Sequence, residues 1–526
     1  MKDVGEKLIR IVSICFSIFF TIILVNTIFL NRTTQVNYKV SIMIIMTVLS
    51  YLTIYILYKN IKFKFLNVAP KKYHIAIVMA IIFGIQIILS ILTYADCGWD
   101  CGIVVRQAVN LLKGENFDTY YFAVCSNNIG ILLITKYVLK FASIFCEITL
   151  QTAFFSMIIF NIIIVDIAAL LTFCVCQKVL ENRSAYFSLL FILPLIVFSP
   201  YIIVPYTDTI TMVFPIAILY IYILIKEQKE IELKKELLII LEGILTIIGF
   251  FIKPTTVIII IAILIVEILR MSKVKIKNVA IIGLMFIIGC GISYTGYSFV
   301  KNRNLGSLIS EEDYEKYSMT FTHFLKMGMN ESIIETELPT KNKTFYGGYS
   351  EWDALTTQTI IGKNEKQKEN LQVVKQRLKK FGIAGYADFL YNKANWILSD
   401  GTFFFGEEGS FWMSEHYNHS KIGEILQELI NNKSDKYQNI TANVMQTLWI
   451  LITIGLLFSH TNKEQNNYIV ISKLSIIGIV IFLLLFEGRA RYLVNHLPIF
   501  IIVGVFGIKA SLKMIDKKLL EYKENK

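Results

Sequence analysis

Mostly apolar runs of the length that crosses a bilayer as a helix, about eighteen residues or more, recur along this chain. They cover Ile11–Leu30, Val40–Tyr58, Ile75–Tyr94, Thr152–Cys176, Ala185–Val204, Thr209–Ile225, Val279–Val300, Val444–Ser459, Tyr468–Phe486 and Leu493–Ile508. The first is too long for a signal-peptide core and lacks a small-residue cleavage site, so it is read as a membrane helix. Between Leu237 and Arg270 another apolar stretch is broken by Lys253 and Pro254. Proline removes a backbone donor and lysine is costly at mid-bilayer, so two short helices with a turn at the membrane surface are expected. The pattern predicts an all-α polytopic membrane protein.

The polar residues between the runs set the topology. Lysine and arginine gather at the N-terminus, in Lys59–Lys72, Lys226–Lys235 and Arg270–Lys277, and in the tail from Lys509. With these inside, both termini are cytoplasmic and Asp96, Asp208, Lys253 and Arg489 lie outside. Ile129–Leu150 must then end on the side where it began, as a juxtamembrane or re-entrant hairpin; Lys136 and Lys140 suit an interfacial position. About twelve spanning helices result. Four regions follow: 1–74, a helical pair with a basic loop; 75–300, a transmembrane core with a first outer loop at 95–150; 301–443, a mixed extracytoplasmic domain; and 444–526, C-terminal helices and a basic tail. Within the third region, Leu371, Val374 and Leu378 recur at helical spacing, so Lys363–Lys380 is expected to be a solvated amphipathic helix.

Composition agrees with the membrane class: 526 residues, 55% hydrophobic, mean hydropathy +0.57 and only 8 prolines exclude an ordinary soluble domain. The net charge of +12 sits in short clusters between apolar runs, which suits anionic lipid and argues against nucleic acid as a partner. Five of the eight cysteines lie within or beside apolar runs as small hydrophobes. Cys97, Cys101 and Cys125 fall in the first outer loop, where a disulfide could persist; their odd number leaves the pairing open.

Candidate chemistry concentrates in that loop, from D-C-G-W-D-C-G-I-V-V-R-Q-A to Y-Y-F-A-V-C-S-N-N. Asp96 and Asp100 are four residues apart and would share one face of a helix. A carboxylate there suits a general base; the same residues also suit a solvated loop whose aspartate N-caps a helix opening at Cys101. Asp208 and Lys253 stand at outer helix ends. Arg489 and Arg491, in E-G-R-A-R-Y-L, suit a lipid-linked phosphate at headgroup depth, or else pair with Glu487 or with lipid headgroups. Asp166, in mid-helix, is read as a structural group near Asn161. His323, His416 and His419 are read as ordinary surface residues more often than catalytic ones.

The order D-C-G-I-V-V-R-Q-A, Y-F, N-N-I-G-I-L-L, S-P…P-Y-T-D and R-A-R-Y-L…P resembles the GT-C superfamily of integral-membrane glycosyltransferases, which contains protein O-mannosyltransferases and aminoarabinose transferases. The likeness covers roughly Ile75–Ile225 and, loosely, the C-terminal helices. It implies a polyprenyl-phosphate-linked sugar as donor, a glycan or protein hydroxyl as acceptor, inversion at the anomeric carbon, and an active site on the outer face of the cell membrane. Asp100 takes the place of the essential acid/base residue, with Asp96 as accessory. Arg489, Arg491, Lys253 and Asp208 would serve the lipid phosphate, and Arg106, Tyr121, Asn127 and Asn128 the acceptor or the loop. Ser126 stands where the family has a proline, and the spaced aspartates differ from the adjacent acidic pair of many protein mannosyltransferases. A divalent ion such as Mg or Mn could use two aspartates and His416, although no ligand spacing is diagnostic. A transporter and an O-antigen-type polymerase or ligase are the alternatives. The first would show half-chain repeats and midplane charge, the second key residues in late loops.

Overall fold

A computed structural model describes residues 2–29, 39–60, 63–230, 232–270, 276–334, 343–405, 413–430, 435–460 and 466–524. The phrase S-D-G-T-F-F-F-G-E-E-G-S-F-W runs beyond these after Phe405. The chain is an all-α polytopic membrane protein: ten helices among the described residues are long and apolar enough to cross a membrane. In order come α1 (Lys2–Phe29), α2 (Val40–Asn60), α3 (Lys72–Thr93), β1 (Ala95–Cys97), α4 (Trp99–Lys113), α5 (Thr119–Val124), α6 (Ile129–Ala142) and α7 (Leu150–Val179). Next are α8 (Asn182–Ile192), α9 (Thr207–Ile210), α10 (Val213–Glu227), α11 (Leu233–Ile252), α12 (Ile258–Leu269) and α13 (Ile276–Leu305). The polar domain holds α14 (Glu311–Tyr317), α15 (Phe321–Met327), β2 (Glu331–Ile334), β3 (Lys343–Tyr346), α16 (Glu351–Gln358), α17 (Lys363–Leu398), β4 (Met413–His416) and α18 (Lys421–Ile430). The chain closes with α19 (Asp435–Phe458), α20 (Asn467–Leu485) and α21 (Leu497–Glu524).

The breaks follow the residues that force them. Lys253 and Pro254 separate α11 from α12, as expected from the missing proline donor. The run Ala185–Val204 is not one regular helix: with Pro194 and Pro200 in it, α8 passes into a π-turn over Leu193–Val197 and a 3-10 turn over Pro200–Ile203. Likewise Leu493 lies in a 3-10 segment, Ala490–His496, before α21 begins.

The segment after Asn128 runs as a short helix and returns to the end of the bundle it left. Gln151, at the start of α7, donates to the Tyr94 hydroxyl at the end of α3 (2.7 Å), so α6 spans nothing. A reciprocal Thr149–Thr152 capping box then starts α7.

The polar domain is tied to this same end. β1 and β4 pair antiparallel, with Ala95 opposite His416, and β2 pairs with β3. Buried lysines cap its helices: Lys366 donates to the Tyr317 carbonyl (2.6 Å), and Lys393 to the carbonyls of Gly328 (2.7 Å) and Phe486 (2.7 Å). Burial lowers the Lys393 ammonium to about 7. The amphipathic reading of Lys363–Lys380 holds only in part. Val374 is buried while Leu371 and Leu378 stay exposed, and the helix runs on to Leu398 through a break at Gly382.

Candidate functional site

The first outer loop folds into a strand and a helix instead of one helix. Asp96 lies in β1 and Asp100 in the first turn of α4, which opens after Gly98. The two carboxylates therefore do not share a helical face, and no aspartate N-caps a helix opening at Cys101. Asp96 is taken by Arg106 (2.8 Å). Arg106 also donates to the Cys97 carbonyl (3.2 Å), so it supports the loop. A Cβ at Gly102 would stand 1.7 Å from that carbonyl oxygen, so only glycine lets β1 fold back on α4.

Asp100 is left for the site. The Tyr121 hydroxyl donates to its Oδ1 (2.5 Å) and accepts from Asn128 Nδ2 (2.8 Å). Tyr206 donates to Asn128 Oδ1 (2.9 Å), with its oxygen 3.4 Å from Asp100 Oδ2, and Asn127 adds a bond to Asn128 (3.2 Å). Burial first, then the Asp100 charge, raises the Tyr121 and Tyr206 hydroxyls well above their ordinary range. Both phenols thus remain donors, aimed at the carboxylate and its neighbour. The Cys125 thiol is pushed up to about 12 by burial, Asp100 and Asp118.

A charged group lies at the same end of the bundle, near enough for the charges of Arg491 and Asp208 to act on the Tyr206 hydroxyl. Asp208, in the first turn of α9, is almost fully buried. It forms ion pairs with Lys253 and with Arg491 (3.6 Å). Arg491 therefore turns to Asp208 and not to Glu487, whose carboxylate accepts from the Tyr492 hydroxyl (2.9 Å). Lys253 lies 4.2 Å from the centre of the Tyr492 ring, and Arg489 precedes the 3-10 segment that carries Arg491 and Tyr492.

Beside this polar group lies a large, almost wholly apolar groove of about 1340 Å³ between α6, α7, α11 and α13. Gly130 and Ile252 line it; Asn128 and Lys253, their near neighbours in the chain, belong to the polar group. A Cβ at Gly130 would be 2.1 Å from the Phe251 carbonyl oxygen, so glycine allows α6 to close against α11 there.

Other expected residues are placed elsewhere. His416 Nδ1 meets the Thr93 carbonyl (3.0 Å), and His323, far from the surface role expected for it, is buried against Thr357 (3.0 Å). Among the described residues no group of three or more His, Cys, Asp or Glu side chains is placed to hold a metal ion. All eight cysteines are free thiols. Asp166 accepts from Gln86 (3.0 Å), whereas Asn161 donates to the Ile202 carbonyl (2.8 Å). Tyr206 and Tyr492 were not singled out in the sequence, although both lie within phrases that were, P-Y-T-D and R-A-R-Y-L.

The fold, with a polar group at one end of it, defines a polytopic integral membrane protein. The chain belongs to the family described as conserved hypothetical integral membrane protein, whose model matches residues 5–512. No curated protein and no solved structure matches it.

Proposed function

We propose that the protein is an inverting membrane glycosyltransferase that takes a monosaccharide from a polyprenyl-phosphate donor to a hydroxyl acceptor on the extracytoplasmic face. The observation that carries this reading is the nearness of Asp100 and Tyr206 to the Asp208–Lys253–Arg491 group, with an apolar groove lined by Ile252, the neighbour of Lys253. A lipid-linked phosphate needs both a cationic end and a long apolar bed. The groove would supply the second, and the cations next to it the first.

In the reaction the acceptor oxygen bonds to the anomeric carbon while the bond from that carbon to the phosphate oxygen breaks. Asp100 takes the hydroxyl proton as general base, and Tyr121 and Tyr206 hold its carboxylate in place. The leaving polyprenyl phosphate carries away the bonding pair, and Lys253, Arg491 and Arg489 meet its charge. Asp208 keeps the first two cations oriented before the donor arrives.

The test is Asp100→Asn in proteoliposomes and in cells, with cell-envelope glycans followed by mass spectrometry. Transfer is expected to fall by at least about 100-fold with normal membrane insertion. Undiminished transfer would remove Asp100 from this role.

A further inference from the structure

Large exposed side chains in a membrane protein are expected where lipid covers them, yet Trp99 and Tyr349 are partly exposed beside Asp100, and Trp352 follows three residues after Tyr349. Trp99 immediately precedes Asp100, is 51% exposed, and has a backbone φ of 52°. A left-handed conformation is costly for a non-glycine residue, about 1–3 kcal/mol, and such strain gathers at functional sites.

Tyr349 meets Trp99 edge to face, with ring centres 6.3 Å apart at 78°. Its loop is clamped: the Gly347 amide donates to the Asn330 carbonyl (2.6 Å) and the Gly488 amide to the Gly347 carbonyl (2.9 Å). That second bond joins the polar domain to the E-G-R segment, so Tyr349 is held over the site. Its hydroxyl feels the charges of Glu351, Asp100 and Glu487. Trp352, three residues further on at the start of α16, is 75% exposed.

We propose that Trp99, Tyr349 and Trp352 form a stacking platform for the acceptor, and that the acceptor is a glycan of neutral or amine-bearing sugars. This rests on the glycosyltransferase reading above. A pyranose presents a face of C–H groups, weakly positive, that packs on the negative face of an aromatic ring. Its rim of hydroxyls can meanwhile donate to carboxylates. Rings next to Asp100, with the charges of Glu351 and Glu487 near enough to act on the Tyr349 hydroxyl, match both properties, and the three acidic groups repel anionic sugars. Stacked on Trp99, a sugar hydroxyl comes within reach of the carboxylate of the next residue, Asp100.

The experiment uses the full chain in lipid nanodiscs, presented to immobilised neutral, amino and acidic oligosaccharides and to a serine- and threonine-rich peptide. The wild type is expected to bind neutral or amino oligosaccharides and not acidic ones. Trp99→Leu, Tyr349→Leu and Trp352→Ala should each bind about tenfold more weakly. Since Trp352 is so exposed, its replacement keeps the test open if the other two variants fail to fold. Binding to no oligosaccharide, preference for the peptide or for acidic sugars, or unchanged binding in all folded ring variants overturns the proposal. So does quenching of the Trp99 and Trp352 fluorescence by brominated lipid, which would place the rings in the bilayer. Glycan binding that depends on the rings, together with undiminished transfer by Asp100→Asn, would leave the platform standing and remove the catalytic role of Asp100.

Discussion

Asp100 keeps its orientation through two phenols and an amide that also bond to one another. Tyr206 is the member whose hydroxyl lies by the carboxylate and also feels the charges of Arg491 and Asp208. Tyr206→Phe leaves the Asn128 carbonyl with only Asn127 as donor, and a weakened buried bond costs about 1 kcal/mol. We expect a slightly lower unfolding temperature and a transfer rate reduced about tenfold, a larger effect than the stability loss explains; a rate that falls only in step with stability would make Tyr206 merely structural. His323 offers a test by pH. Burial lowers it to about 4, so the unfolded chain binds the proton first as pH falls below its ordinary value near 6.5. Stability is therefore full above about 6.5 and declines towards 4, by about 2–3 kcal/mol. Thermal unfolding at pH 7 and pH 4.5 should show a smaller difference in His323→Gln than in the wild type. Residue types and spacing marked Asp96 and Asp100 together, because acids just after an apolar run stand out, and the resemblance gave Asp100 the leading role. They could not reveal that Asp96 is spent on Arg106, since the strand that separates the two carboxylates depends on a partner, β4, far along the chain.

At the scale of elements, the site is an assembly of helix ends. α4, α9, the α11–α12 turn and the 3-10 segment before α21 each contribute one charged group, and Asp208 links three of these elements. Removing its charge leaves Lys253 and Arg491 buried without their shared counter-ion, and breaking a buried pair of this kind costs about 3–5 kcal/mol. Asp208→Asn should lower the unfolding temperature markedly, and Asp208→Asn with Lys253→Met should recover part of the loss. Additive losses in that double-variant cycle would mean that the two groups are not coupled. The break at Lys253-Pro254 and the basic loops were legible because proline and lysine act locally. The irregular turns after α8 were marked by Pro194 and Pro200, which a reading of apolar run length alone passes over, and the turn before α21 was not legible, because an apolar run looks the same whether or not the helix within it is regular.

Across the whole molecule, the groove opens between the short α6, α7, α11 and α13, and α13 is mostly exposed. Gly296 lines the groove with no atom near its missing Cβ. Gly296→Phe should fill the space without loss of stability and raise the KM for a polyprenyl-phosphate sugar by about tenfold, as for the loss of apolar contacts worth about 1.4 kcal/mol. An unchanged KM would take the lipid chain out of this groove.

The membrane class, the alternation of apolar runs with basic loops, and the need for a short returning segment after Asn128 were all determined by the sequence itself. The bilayer imposes a length and a cost of charge that each stretch must meet on its own. Which charges neutralise one another was decided only by the tertiary structure. Lys253 and Asp208 are 45 residues apart and Tyr206 and Asp100 106 apart, and such partners are chosen by helix packing, on which a one-dimensional pattern carries no information. The same holds for the open rings of Trp99 and Tyr349, whose exposure follows from how the polar domain seats on the bundle.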